Sequence, residues 1–407
     1  MAGHEVYHQS SESTSLTFSG GQLKTRETDS SSGYGIRVLH EGRLGFAYCQ
    51  KEDGVKESLE QARKLSRFSA KSSFSFAPKE AFTMPEISNR EFSPQDYGLL
   101  HNLIKEAREA AESHGGRSRV IAELGSIRTK IENSAGFKGQ YEKTDISLYT
   151  ECMDADGFGH SYHVSNIKLP DARELGMKAA EMAKQMQGAK KPEAGSYIIV
   201  MELEALESLI ETVIPSFSGD WKRRKISRLE QGKKMFSEKF TMYDDPLGPG
   251  SEARPFDDEG VASEKKYLVK KGEIDSFLYD RETAALASAD EDGACSRASY
   301  ANAPVIGGSN ITIAPGDWKN LEELDRFIEV HSVHGSHTAN PTTGDIGLEV
   351  STAFMVEKGK RTPVKGFMIT GNAFDMLKNI EAMEKKTRTL DYFTAPRIAF
   401  RNVRIVS

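Results

Sequence analysis

From about Glu5 to Gln50 apolar and polar residues alternate between glycine-bearing turns, as in SLTFSGGQLKTRE and GYGIRVLHEGRLGFAYCQ. Period-two runs broken at Gly20-Gly21 and at His40-Glu41-Gly42-Arg43 predict an antiparallel meander over residues 1–50. The period then changes. Val55, Leu59, Ala62 and Leu65 recur at helical spacing and predict a helix over 53–67. The stretch from Ser69 to Pro94, rich in Ser, Phe and Pro, has no period and is expected to wander over the surface. Ser93-Pro94 reads as a helix start with proline at the first helical position. Leu100, Leu103, Ile104, Ala107 and Ala111 form the apolar face of that helix, and Gly115-Gly116 ends it. Strands are expected between about 119 and 167, with turns at Gly136 and Gly157. A helix carrying Leu175, Ala179, Met182 and Met186 completes a further helix-and-strand block over 94–187.

The polar segment GAKKPEAG at 188–195 is the expected domain boundary, separating an N-terminal α+β region over 1–190 from a C-terminal α+β domain over 196–407. After it come an apolar strand at 197–201 and a helix over 204–214 that stops at Pro215. Hairpins are expected at Lys271-Gly272 and Lys358-Gly359. Phe374, Leu377, Ile380 and Met383 predict a late helix, and the alternating RIAFRNVRIVS predicts a final strand. Strand clusters with few alternating βα units predict an α+β fold, two domains of largely antiparallel or mixed sheets packed with helices. They exclude a doubly wound nucleotide fold.

Composition narrows the function classes. With 54 Lys and Arg against 60 Asp and Glu, the net charge is −6, which disfavours a dedicated nucleic-acid binder. Cys49, Cys152 and Cys295 form an odd set without CxxC spacing, so reduced thiols and a cytoplasmic location are expected. No run of about 18 apolar residues exists to cross a bilayer, and the polar start MAGHEVYHQSSESTS does not read as a signal peptide.

Neither GxSxG nor a Walker loop is present. His331, His334 and His337 in HSVHGSH are weak metal candidates. On a helix they would share a face, but Gly335 and Asn340-Pro341 indicate strand and loop, where residues three apart point to opposite sides. Asp244-Asp245 and Asp257-Asp258-Glu259 could serve a hard cation, but loop caps and salt bridges to Arg254 weigh more. The basic run Trp221 to Lys225, with Arg228, Lys233 and Lys234, could face nucleic acid, with Trp221 stacking on a base. A solvated face fits the acidic balance better.

Several segments, in order, resemble the TldD/PmbA family over nearly the whole chain. They are GIRVLHEGRLGFAY at 35–48, YDDPLGPGSEARPFDDEGV at 243–261, NITIAPGD at 310–317 and NPTTGDIGLEVSTAFMVEKGKRTPVKGFMITGN at 340–372. The resemblance implies a cytoplasmic metallopeptidase assembly, some of whose members carry the name modulator of DNA gyrase. Its TldD-type subunit holds zinc with HExxxH on a C-terminal-half helix and a cysteine near the C-terminus. Family spacing counted back from Gly219-Asp220-Trp221 places that motif on Ile210-Glu211-Thr-Val-Ile-Pro215. Glu211 keeps the glutamate, whereas Ile210 and Pro215 stand where histidines would be, and no cysteine follows Cys295. Neither replacement offers zinc a lone pair. The chain therefore resembles the TldE (PmbA) type, with no catalytic residue, metal or cofactor of its own, Glu211 a solvated or helix-capping remnant, and zinc in the partner.

The resemblance further implies a heterodimer with a TldD-type catalytic subunit, enclosing a cavity that admits unfolded peptide. A homodimer remains the alternative, as a peptide-binding or regulatory protein. So does a hydrolase using another metal at His331, His334 and His337.

Overall fold

The computed structural model describes residues 3–113, 115–289 and 293–407. Six strands, β1 (Gly3–Ser19), β2 (Gln22–His40), β3 (Arg43–Cys49), β4 (Arg117–Asn133), β5 (Lys138–Asp154) and β6 (Gly157–Ser165), form one antiparallel sheet in the order β3-β2-β1-β4-β5-β6. The first two hairpins turn through consecutive positive φ values, at Gly20 and Gly21 and at Glu41 and Gly42. Such turns match the twist of the flanking strands. The alternation in β1 and β2 sends Leu16, Ile36 and Val38 inward.

Helix α1 (Val55–Leu65) lies so close to β3 that a Cβ on Gly45 would come within 1.9 Å of the Ala62 carbonyl oxygen. Helices α2 (Tyr97–Ala111) and α3 (Ala172–Gln185) cover one face of the sheet. Leu100, Leu103, Ile104 and Ala107 pack there with Val120, Leu124, Ile146 and Leu148. Both helices start at an aspartate cap: Asp96 accepts from the Leu99 N–H at 2.9 Å, and Asp171 from Glu174 at 2.8 Å. The expected start at Ser93-Pro94 is thus three residues early. Those residues form a turn in which the Ser93 hydroxyl accepts from Gln95 N–H. The stretch Ser69 to Pro94 is irregular as expected, but it is no surface loop: Phe74, Phe76, Ala77, Ile87 and Phe92 are all buried. Its aromatic content, rather than its missing period, was the informative signal.

The second half runs β7 (Gly195–Met201), α4 (Leu203–Val213), α5 (Gly219–Arg223), β8 (Met242–Asp244), β9 (Lys266–Lys270), β10 (Glu273–Ile274), α6 (Arg281–Ala287), β11 (Cys295–Ser296), β12 (Val305–Ile306) and β13 (Ile311–Ile313). It continues with β14 (Arg326–His334), β15 (Asp345–Glu357), β16 (Lys360–Val364), β17 (Phe367–Asn372), α7 (Ala373–Lys378), β18 (Ile380–Leu390) and β19 (Phe393–Val406). β7 pairs with β14 in parallel and with β19 antiparallel, while β15 bonds β14 and β17, and β17 bonds β19. These five strands close on themselves, which removes their free edges. The fold is α+β, with a six-stranded antiparallel sheet, an eleven-stranded mixed sheet and the two-stranded antiparallel pair β11–β12.

Alternation divides the mixed sheet. Ile199, Met201, Ile328, Val330 and Phe400 join Leu206, Leu209, Ile210 and Val213 of α4 in one core. Val200, Phe327, Phe354, Val356 and Ala399 face the other way, toward Met186. The expected late helix is shorter than its stripe: α7 holds Phe374 and Leu377, whereas Ile380 and Met383 belong to β18. An apolar residue every third position mimics a helix when a strand with register shifts at both places follows directly.

Candidate functional site

Glu204, Glu207 and Glu211 recur along α4 at spacings of three and four, so they share the face opposite its core-bound leucines. That face meets two other elements. Nε2 of His160, on β6, lies 2.8 Å from Oε2 of Glu204. The Tyr392 hydroxyl, in the turn between β18 and β19, donates to Oε1 of Glu211 at 2.8 Å. A cleft of about 440 Å³ opens here, walled by Ile210, Ile214, Pro215, Ile311 and Phe393, with Glu207, Glu211, Glu252, Ser309 and Tyr392 as its polar side chains. Burial first, then the charges of Glu211, Asp391 and Glu204, push Glu207 up to about 7, although its hydrogen bond with Tyr392 acts in the opposite sense. Asp145 is likewise pushed up to about 6 by burial and by Glu123, with Lys143 opposing and Glu252 and Asp391 adding.

Ile210, Glu211 and Pro215, the positions onto which the family resemblance maps the HExxxH motif, therefore all line this cleft. Ile210 is buried on its core side, Pro215 lies in the 3-10 turn that follows α4, and Glu211 is exposed. Glu211 does not merely cap its own helix, since it accepts the bond from a tyrosine 181 residues away in sequence. The donor set does not fit the zinc that the family pattern implies: three carboxylates, a serine hydroxyl and a phenol face an isoleucine and a proline, without an imidazole or thiolate.

The other sequence candidates are dispersed. His331 bonds Glu329 at 2.8 Å on β14 and stands edge-on to Phe354, His334 is exposed at the strand end, and His337 lies in a 3-10 turn. The structure does not gather these three into a ligand set; among the described residues the one such cluster is Asp257, Glu259 and Cys295. Asp244 accepts from the N–H and hydroxyl of Ser309 at 2.8 and 2.6 Å, acting as a loop cap. In the basic run, Asp220 pairs with Arg223 and Arg224, and Lys222 stacks over Phe277.

Three family descriptions match in succession: PmbA/TldA metallopeptidase domain 1 over residues 4–66, the central domain over 90–187 and the C-terminal domain over 194–407. The chain belongs to the PmbA/TldD metallopeptidase family. It is 27% identical to a protein of Methanothermobacter thermautotrophicus named a metalloprotease, covering 92% of this chain and 86% of that one. Two solved structures share the fold. A protein from Thermotoga maritima described as a modulator of a DNA gyrase has a TM-score of 0.92 at 23% identity, over 100% of this chain and 96% of its own. TldE from Thermococcus kodakarensis has 0.91 at 21%, over 100% and 97%.

In this PmbA/TldD chain the segment 243–261 that carried the resemblance forms a buried seam between the halves. Arg37 of β2 donates Nε and Nη2 to the two oxygens of Glu5 on β1, at 2.9 and 2.8 Å, and Nη1 to Glu259. Arg297 adds a bond to Glu5 at 2.5 Å and donates its backbone N–H to Asp258 at 2.7 Å. Burial opposes the charge of Arg37, but Glu5 and Glu259 outweigh it and hold the guanidinium protonated. Sequence reading missed this seam and the pair Glu207 and Tyr392. The density of charged residues between 252 and 259 was the available signal for the seam; for Tyr392 there was none.

Burial of Asp257, reinforced by Glu259 and opposed by Arg254, raises its carboxyl well above the usual range. Burial and the same carboxylates also raise the Cys295 thiol. Both oxygens of Glu259 are engaged, by Arg37 and by the Arg281 N–H. Burial and the neighbouring charge thus favour the protonated forms of Asp257 and Cys295 in the seam. A carboxyl raised on folding binds a proton that the unfolded chain has released. Its contribution is greatest below the unfolded value of about 3.9 and declines as pH rises toward the folded value, by at most about 1.4 kcal/mol per pH unit. Asp257→Asn keeps an oxygen for the Glu259 and Val261 N–H groups, so urea unfolding between about pH 5 and pH 8 should show a shallower loss of stability than wild type. An unchanged pH slope would contradict a protonated Asp257.

Proposed function

We propose that this chain is a TldE-type, non-catalytic subunit that builds part of the wall of a peptide-admitting cavity, in an assembly whose zinc is held by a TldD-type partner. The observation that carries this reading is the pair Ile210 and Pro215 at the two histidine positions, on a formed cleft with no substitute nitrogen or sulfur donor. Membership of the family and the shared fold with TldE of Thermococcus kodakarensis support it. Among the described residues no helix is long and apolar enough to cross a membrane. The three free cysteines, two of them buried, agree with a cytoplasmic setting.

The test is co-expression with an HExxxH-bearing family member, followed by zinc analysis and cleavage of an unfolded peptide. Cleavage and stoichiometric zinc are expected with the pair and neither with this chain alone. Metal-dependent cleavage by the chain alone would overturn the reading.

A further inference from the structure

We propose that the cleft on α4 is a subsite for a cationic peptide side chain, lysine or arginine, with its stem against Ile210, Ile214, Pro215 and Phe393 and its charged end at Glu207 and Glu211. This deepens the peptide-wall reading and rests on it. The cleft's walls are mainly apolar and its volume of about 440 Å³ lies within the range of small-ligand sites. Long basic side chains suit such a place, because their methylene stems cover apolar surface while the head stays polar.

The occupant's charge follows from how the neighbouring carboxylates are partnered. Glu202 pairs with Arg388 and, at 3.3 Å, with Arg397. Glu204 pairs with His160 at 2.8 Å, and Glu252 with Lys143 at 3.2 Å. Among the described residues, no cation lies within ion-pair distance of Glu207 or Glu211. The groups facing Glu207 are Glu204 and Glu211 on its own helix, Asp391 and Tyr392 in the β18–β19 turn, and Tyr162 on β6. All are acidic or neutral. Tyr392 has a single hydroxyl proton to offer two carboxylates. An incoming ammonium or guanidinium supplies both the missing charge and the missing donors, whereas an acidic side chain would be repelled.

The probes are two fluorescently labelled, end-blocked pentapeptides, one with a central lysine among alanines and one with norleucine in its place, titrated against the full chain. The lysine peptide is expected to bind at least about tenfold more tightly, the worth of a charge-assisted bond. That preference should grow between about pH 6 and pH 8 as Glu207 ionises. The double variant Glu207→Gln, Glu211→Gln should lose the preference while keeping its affinity for the norleucine peptide. Equal binding of the two peptides, or an undiminished preference in the variant, overturns the subsite but leaves the peptide wall standing. Binding of neither overturns the subsite too, and cleavage by the partnered complex then decides separately whether the wall reading survives.

Discussion

Arg37→Ala is expected to destabilise the folded chain by about 3–5 kcal/mol, the usual cost of removing one partner from a buried ion pair. Arg37 is 2% exposed, and its partners Glu5 and Glu259 are 0% and 1% exposed. Truncation strands two carboxylates in the seam, with Arg297 left to serve Glu5 and the Arg281 N–H left to serve Glu259. The guanidinium also stacks 5.1 Å above the ring of Phe74, so packing is lost as well as charge. A double change, Arg37→Met with Glu259→Gln, leaves Glu5 paired with Arg297 and an oxygen for the Arg281 N–H, and should recover part of the loss, because a buried ion pair is weakly stabilising against neutral groups of like volume. Urea unfolding measures both. A loss below about 1 kcal/mol for Arg37→Ala would place the network among solvent-screened pairs and refute the seam as a clamp.

The contrast between what the sequence showed and what it hid follows the range of the interactions. The β1–β3 meander was readable because its turns and its alternation are local: Gly20-Gly21 and Glu41-Gly42 supply the backbone angles, and period two supplies the face. The hairpins at Lys271-Gly272 and Lys358-Gly359 were readable for the same reason. Closure of β7 between β14 and β19 was not, since it joins residues 195–201 to a strand ending at 406. At the cleft, Glu211 could be placed because a motif spacing led to it. Its neighbour Tyr392 arrives from another strand turn, and no local pattern marks it. The histidines show the reverse error of proximity in sequence: HSVHGSH gathers three imidazoles along the chain, and the strand geometry of β14 then separates them.

Phe256→Ala tests the apolar half of the same seam. Phe256 belongs to the C-terminal half in sequence, yet its ring is fully buried among residues of the N-terminal half, with centroids 4.9 Å from Phe82, 5.2 Å from Phe137 and 5.2 Å from Tyr141. Room for it is made by Gly139 of β5, where a Cβ would lie 2.6 Å from the ring. Truncation removes the anchor and leaves a cavity, so a loss of about 3–5 kcal/mol is expected. Because each half has a large core of its own, weakened docking should also split a single calorimetric transition into two. Phe400→Ala, equally buried but inside one core, should instead lower the transition of the C-terminal half without producing that split. The seam also fixes how β6, carrying His160 and Tyr162, meets the acidic face of α4. Phe256→Ala is therefore expected to weaken the lysine preference at the cleft, although Phe256 does not line it. Unsplit unfolding together with an unaltered preference would mean that the two halves hold their relative positions without this ring.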